Sequence, residues 1–151
     1  MPSQIKVDEI KNVAGQYEIK TNTFKGQTTA GSIAVQGEGT ATTNLQQGLC
    51  KAWISFDGTG TISTYDSFNI GSLTDVGNGD YGFTYTNNMN GTSLYTLAGS
   101  CIGSSESNNY SFVTSSQDTL ATTGTNFQLR HHGGTIQDQD PVGINTHGDL
   151  A

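Results

Sequence analysis

The chain of 151 residues has room for one main core, because domains cluster around ~100–150 residues. Hydrophobic residues make up only 32% of it, so one subunit has little apolar material to bury and we expect a homo-oligomer. The formal net charge of −7 excludes a protein that neutralises phosphates with clustered Lys and Arg, and nucleic acid is not an expected partner. No apolar stretch approaches the ~18 residues of a membrane span or resembles a signal peptide, so we expect a soluble protein without membrane insertion.

The N-terminal part differs from the rest in charge and pattern. Residues 1–46 carry four Lys against Asp8, Glu9, Glu18 and Glu38, a net charge of zero, so the whole charge of −7 lies in residues 47–151. The stretch is mainly polar, and only residues 33–35 favour a short strand. We therefore predict an extended arm over residues 1–46, followed by a folded domain over residues 47–151.

From residue 52 onwards the pattern is typical of short strands. Ala52, Ile54 and Phe56 alternate with Trp53 and Ser55, and the Asp-Gly-Thr-Gly stretch at 57–60 predicts a hairpin into a strand over 61–65. Residues 67–73 favour one further strand, 75–80 a Gly-rich turn, and the alternating aromatics at 81, 83 and 85 another strand. Further strands are predicted at 94–102, 110–113, 127–129 and 142–144. We therefore expect an all-β fold, an antiparallel β-sandwich that is jelly-roll-like, with the extended N-terminal arm.

The aromatic residues have two possible uses in such a fold. Alternation favours the core for Phe56, Phe83 and Trp53. Tyr95 and Tyr110 are the candidate partner contacts, because an exposed tyrosine ring offers a stacking surface with a polar edge to a sugar. The two cysteines, Cys50 and Cys101, end apolar segments as small buried residues would, and the sequence leaves open whether they pair.

Two pairs of carboxylates could carry chemistry. Asp75 and Asp80 bracket a Gly-Asn-Gly stretch, but a calcium loop needs an acidic residue at its twelfth position, which here is Thr86, so a tight turn is favoured. Asp138 and Asp140 could form the carboxylate pair of a glycosidase. Two residues apart on a strand, they would instead share a face exposed to solvent, and we favour that interpretation.

The remaining candidates also favour a protein without catalysis. On a threefold axis, His131 or His132 could hold a transition metal, but adjacent strand residues point to opposite faces, so only one per chain could ligate. No GxSxG, HExxH, P-loop or CxxC pattern occurs. We therefore expect no enzyme activity, no metal and no cofactor.

One stretch of the chain resembles a known family. Residues 51–62 read KAWISFDGTGTI, residues 66–70 DSFNI and residues 73–81 LTDVGNGDY. In this order they resemble a module of tail-fibre and other virion structural proteins of tailed bacteriophages, many of them marine. The opening IKVDEIKNVAG at 5–15 resembles the N-terminus of such proteins, and the resemblance fades after Tyr95.

The resemblance implies a location and partners. It implies a homotrimeric surface appendage subunit, a tail fibre or spike, made in the host cytoplasm and found on the virion. Its arm would bind other virion proteins, and a glycan of the host surface is a candidate partner. The alternative is a capsid decoration or cement protein, such as a head fibre, that binds the capsid lattice. A hydrolase of host polysaccharide would need a groove with facing carboxylates.

Overall fold

The structure, a computed structural model, describes residues 33–36, 40, 42–101, 110–113, 120–131 and 134–151. At its N-terminal end, strands β1 (Ala34–Gln36) and β2 (Thr42–Asn44) pair as an antiparallel hairpin, and one helical turn, α1 (Leu45–Gly48), follows. The strand predicted at 33–35 corresponds to β1, whereas β2 was not predicted. The hairpin belongs to neither of the larger sheets. Because residues 1–32 lie outside the described part, the division into an arm and a domain stays a prediction.

The described part of the chain forms two four-stranded antiparallel sheets beyond this hairpin. The front sheet has the order β4-β3-β10-β7 and the back sheet the order β5-β6-β9-β8. The strands are β3 (Ala52–Asp57), β4 (Ser63–Phe68), β5 (Ile70–Gly77), β6 (Asp80–Tyr85), β7 (Tyr95–Cys101), β8 (Tyr110–Val113), β9 (Gly124–His131) and β10 (Val142–Gly148). The prediction of an all-β antiparallel sandwich is confirmed.

The core lies between the two sheets and is filled by one face of each. The front sheet contributes mainly aliphatic side chains, among them Ile54, Val142 and Ile144, with Phe56 and Tyr95. The back sheet contributes mainly aromatic rings, because its strands place Tyr81, Phe83, Tyr85 and Phe127 inward. Phe56 meets the rings of Tyr81 and Phe127 at centroid distances of 5.1 and 6.2 Å. The predicted core positions of Phe56 and Phe83 are therefore confirmed.

The two cysteines remain unpaired, and each is half-buried. The Cys50 thiol donates to the carbonyl oxygen of Ala52 at 3.1 Å. Cys101 lies opposite Val142 at the end of β7, and burial raises the pKa of its thiol. The sequence left open whether Cys50 and Cys101 pair, and in the structure both are free thiols.

The single strand predicted over residues 67–73 is wrong, because the chain changes sheets at Asn69. Phe68 ends β4 in the front sheet and Ile70 begins β5 in the back sheet. Asn69 between them has a φ of 58°, a left-handed conformation that Asn tolerates better than most residues. The turn predicted over 75–80 is also shorter than expected, because β5 continues to Gly77 and only two residues separate it from β6.

The Asn69 side chain secures this crossing with hydrogen bonds. Its amide nitrogen donates to the carbonyl oxygens of Lys51 at 3.0 Å and Asn87 at 3.1 Å. Its amide oxygen accepts a bond from the Asn87 backbone N–H at 2.7 Å. Asn69 thus joins the start of the front sheet to the loop that follows β6.

Two substitutions of Asn69 separate the contribution of its side-chain hydrogen bonds from that of its left-handed backbone conformation. We expect Asn69→Gly to lower the free energy of unfolding by about 1–2 kcal/mol, because it keeps the backbone conformation and removes the hydrogen bonds. Asn69→Ala should lower it by about 1 kcal/mol more, because alanine is strained at positive φ. Urea unfolding of the three proteins measures both differences. A glycine variant as stable as the parent would show that the side-chain bonds contribute nothing.

Candidate functional site

The two carboxylates considered for catalysis have structural partners instead of facing each other. An Asp138 oxygen accepts bonds from the Gly79 backbone N–H at 2.6 Å and the Tyr81 hydroxyl at 2.8 Å. An Asp140 oxygen accepts from the Tyr65 hydroxyl at 2.7 Å. Both aspartates precede β10 in a segment outside any strand, and Asp138 is half-buried while Asp140 is exposed. The expectation that they share one solvent-exposed strand face is therefore wrong.

In the described part of the chain, the residues considered as calcium or transition-metal ligands are not grouped into a metal site. Asp75 is exposed on β5, and an Asp80 oxygen accepts a bond from the Gln128 amide at 2.9 Å. No group of three or more His, Cys, Asp or Glu side chains in the described part of the chain is arranged to hold a metal ion. The side chain of His131 and the whole of His132 lie outside the described residues.

The two tyrosines proposed as partner contacts have different outcomes. Tyr95 is only 5% exposed, its hydroxyl donates to the Ala121 carbonyl at 2.9 Å, and its ring meets Tyr85 edge to face at 5.9 Å. Tyr95 is a core residue, because β7 turns its side chain toward the back sheet. The prediction that it is a partner contact is therefore wrong. For Tyr110 the structure describes the backbone in β8 but not the side chain, so that prediction lies outside the described residues.

The inward tyrosines make the sandwich sensitive to alkali. Desolvation raises the pKa values of Tyr81, Tyr85 and Tyr95 above the ordinary value of 10, and a hydrogen bond to Asp140 raises the pKa of exposed Tyr65 to about 12. The folded chain thus holds protons that the unfolded chain releases near pH 10. The stability linked to these groups is complete below that pH and is lost as the pH rises through the raised values.

We therefore expect the free energy of unfolding to be level between about pH 8 and 9 and to fall steeply above pH 10. Urea unfolding at a series of alkaline pH values measures the slope. Tyr85→Phe is the matched control, since it removes one titrating group and keeps the ring, and its slope should be shallower. A stability that stays level to pH 12 would contradict the linkage.

Trp53 is the residue whose predicted place differs most from the observed one. It lies on β3 between buried Ala52 and Ile54, so its side chain points away from the core, and it is half-buried. The prediction of Trp53 as a core residue is wrong. The same alternation that buries its neighbours already required an outward position, so the signal was present in the sequence.

The outward side chains of the front sheet align across its four strands because the strand register is fixed. Trp53 lies opposite both Phe68 and Asn145, and Asn145 lies opposite Ala98. We call these four residues the aromatic row. Phe68 is 54% exposed although it is a large apolar residue. Tyr65, also on β4, is 57% exposed and lies where the register with β3 shifts.

A second row runs beside the first and is polar. Ser55 lies opposite both Asp66 and Gly143, and Gly143 lies opposite Ser100. We call these four residues the polar row. Gly143 leaves a gap in it: a Cβ there would meet only Ser100, with its nearest atom at 3.6 Å. The rows together form a shallow surface with aromatic rings on one side and small polar groups beside them.

Sequence reasoning missed most of this surface. Phe68 was predicted near the start of a strand over 67–73, but it is the last residue of β4. Gly143 and Asn145 belong to β10, of which only residues 142–144 were predicted. Their alignment depends on β10 lying between β3 and β7, which pairs segments far apart in the chain. No local pattern reports such a pairing.

Comparisons with family models, curated proteins and solved structures find no match to this chain. Among the described residues, no helix has the length and apolar character that crossing a membrane requires. The fold and the outer face of the front sheet therefore define the class of protein, an all-β sandwich with an aromatic surface on one sheet.

Proposed function

We propose that the chain is a non-enzymatic subunit of a bacteriophage surface appendage, of the tail-fibre or spike type, that forms a homotrimer and takes part in host attachment. The observation that carries the proposal is the resemblance of residues 51–81 to a module of phage virion proteins. In the structure this stretch is contiguous: it runs through β3, β4 and β5 into β6. It therefore supplies β3 and β4 of the front sheet and β5 of the back sheet, on either side of the core.

Several residues of this stretch form turns or hydrogen bonds that stabilise the sandwich. Asp57 accepts bonds from the hydroxyl and backbone N–H of Thr59 at 2.6 and 2.7 Å, and these bonds lower the pKa of its carboxyl group. Asn69 secures the change of sheet, and Gly79 forms the turn before β6 with a φ of 64°. A module of this kind would supply a scaffold, on which exposed loops and outer faces are available for binding.

Two further observations support the proposal. Asp138 and Asp140, the one carboxylate pair considered for hydrolysis, are each held by a tyrosine hydroxyl, which suits a structural role. The charge division also suits display, because residues 1–46 are neutral and residues 47–151 carry −7. A near-neutral arm would attach to other virion proteins, and an acidic domain would stay dispersed in solvent.

The experiment is to place a peptide tag after Ala151, which is exposed, and to image gold-labelled antibody on purified phage particles. Label at the tail would support the appendage. Label spread over the head would replace it with the capsid decoration protein, and particles without label would contradict a virion role. A tagged chain without residues 1–46 is the control for the arm: it should fold and be missing from particles.

A further inference from the structure

We infer that the outer face of the front sheet binds a neutral glycan through stacking on Phe68 and Trp53. The inference rests on the proposed function only for the biological source of the glycan, which would be the host surface. The binding surface itself is derived from the register of four strands and the exposure of their outward side chains.

The aromatic row has the composition that a sugar ring needs. Phe68 and Trp53 are cross-strand neighbours, so their side chains start ~5 Å apart and offer adjoining apolar surfaces. A pyranose presents a face of C–H groups that packs on such rings, while its hydroxyls point outward around the edge. Asn145 follows Trp53 in the same row, where its amide can both donate and accept hydrogen bonds.

The polar row supplies partners for the sugar hydroxyls. It lies ~7 Å from the aromatic row, two residues along each strand. Ser55 and Ser100 can donate and accept, and Asp66 can accept. Gly143 between them carries no side chain, and a Cβ there would be in ordinary contact with Ser100 alone. Few polar groups beside an apolar surface are typical of small-molecule sites, where they fix orientation.

The charge of the face selects a neutral glycan over an acidic one. Asp66 lies in the polar row, and Asp57 lies outward at the end of the same strand pair, opposite Ser63. Among the described residues of the front sheet, His147 is a basic residue on this face, two positions after Asn145 on β10. Lys51 is only 8% exposed, and its ammonium donates to the Leu49 carbonyl at 3.0 Å. Among the described residues of this sheet, a polyanion would therefore meet carboxylates without an exposed lysine to balance them.

The size of the face disfavours a second copy of the chain as its occupant. Four strands spaced ~4.8 Å apart and about six residues long cover roughly 400 Å². A stable protein interface buries ~800 Å² on each partner and has an apolar centre. Here the apolar side chains of the two rows are Phe68, Trp53 and Ala98, and the other positions hold four polar residues and Gly143. The surface suits a short oligosaccharide rather than a subunit.

Trp53 makes the inference directly testable, because it is the single tryptophan of the chain. The full-length protein would be titrated with dextran, mannan, galactan and N-acetylglucosamine oligomers, and with alginate as the acidic comparison, while tryptophan emission is recorded. We expect a saturable shift of the emission to shorter wavelength with at least one neutral glycan and none with alginate. Phe68→Ala should weaken that response about tenfold.

Val76→Ala is the matched control variant, because Val76 is 53% exposed on β5 of the back sheet and should leave binding unchanged. No response to any neutral glycan, an equal response to alginate, or an undiminished response in Phe68→Ala would overturn the inference. Emission that changes with protein concentration alone would assign the face to a second copy and also overturn it. Labelling of the tagged protein on particles tests the proposed function independently of glycan binding, so either proposal can fail without the other.

Discussion

Phe127→Ala is expected to lower the free energy of unfolding by about 3–5 kcal/mol, as truncation of a buried phenylalanine does. Phe127 is fully buried on β9. Its ring lies 5.8 Å from that of Tyr81 and 6.0 Å from that of Phe83, centroid to centroid. The aromatic cluster cannot collapse into the space left behind, because these rings are held on strand β6 of the same sheet. Urea unfolding with an unchanged m value measures the loss.

Phe68→Ala is the matched control for this change. It removes the same side chain from the front sheet, where Phe68 is 54% exposed, and we expect it to change the free energy of unfolding by less than about 1 kcal/mol. Equal losses in the two variants would show that Phe68 is buried in solution and would contradict the outward aromatic row. A stable Phe68→Ala also ensures that a loss of glycan binding is not a loss of folding.

Gly79→Ala is the second change with a large expected effect. Gly79 has a φ of 64°, and a Cβ there would meet the backbone oxygen of Gln137 at 2.9 Å and its carbonyl carbon at 3.0 Å. Its N–H also donates to Asp138, and its carbonyl accepts from the Leu129 N–H at 2.8 Å. We expect a loss of about 3 kcal/mol or more, because backbone strain adds to the displacement of residues 137–138.

Gly60→Ala isolates the contribution of the backbone conformation. Gly60 has nearly the same φ, 60°, but a Cβ at that position would meet no atom within 4 Å. It should therefore lose only about 1–2 kcal/mol, the cost of a left-handed alanine. Thermal or urea unfolding of both variants gives the difference. Similar losses at the two sites would mean that the approach of residue 137 to the turn contributes little.

Tyr81 shows how the turns and the core are coupled. Its ring is fully buried, and its hydroxyl lies 3.0 Å from the Gly58 carbonyl and 2.8 Å from Asp138. One hydroxyl proton can serve only one of these acceptors at a time. The residue thus joins the β3–β4 turn to the segment before β10, and changes at Gly79 are expected to act on the same group of contacts.

The sequence by itself determined the local elements of the sandwich. Alternation over residues 52–56 gave β3 and its buried face, and the Gly-rich stretches marked hairpins, because side-chain period and turn chemistry are local properties. The strand boundaries could not be predicted where a single residue turns the chain. By propensity, residues 67–73 favour one continuous strand. The left-handed Asn69 interrupts it, since its hydrogen bonds to Lys51 and Asn87 compensate for the backbone conformation.

Only the tertiary structure decided which of these faces could serve as a site. Tyr95 illustrates this, since the predicted contact is buried in the core. Burial depends on which sheet covers a strand, and the place of β10 between β3 and β7 pairs segments that are far apart in the chain. The row of Phe68, Trp53 and Asn145 therefore has no sequence signature, because its members come from three strands brought together by long-range pairing.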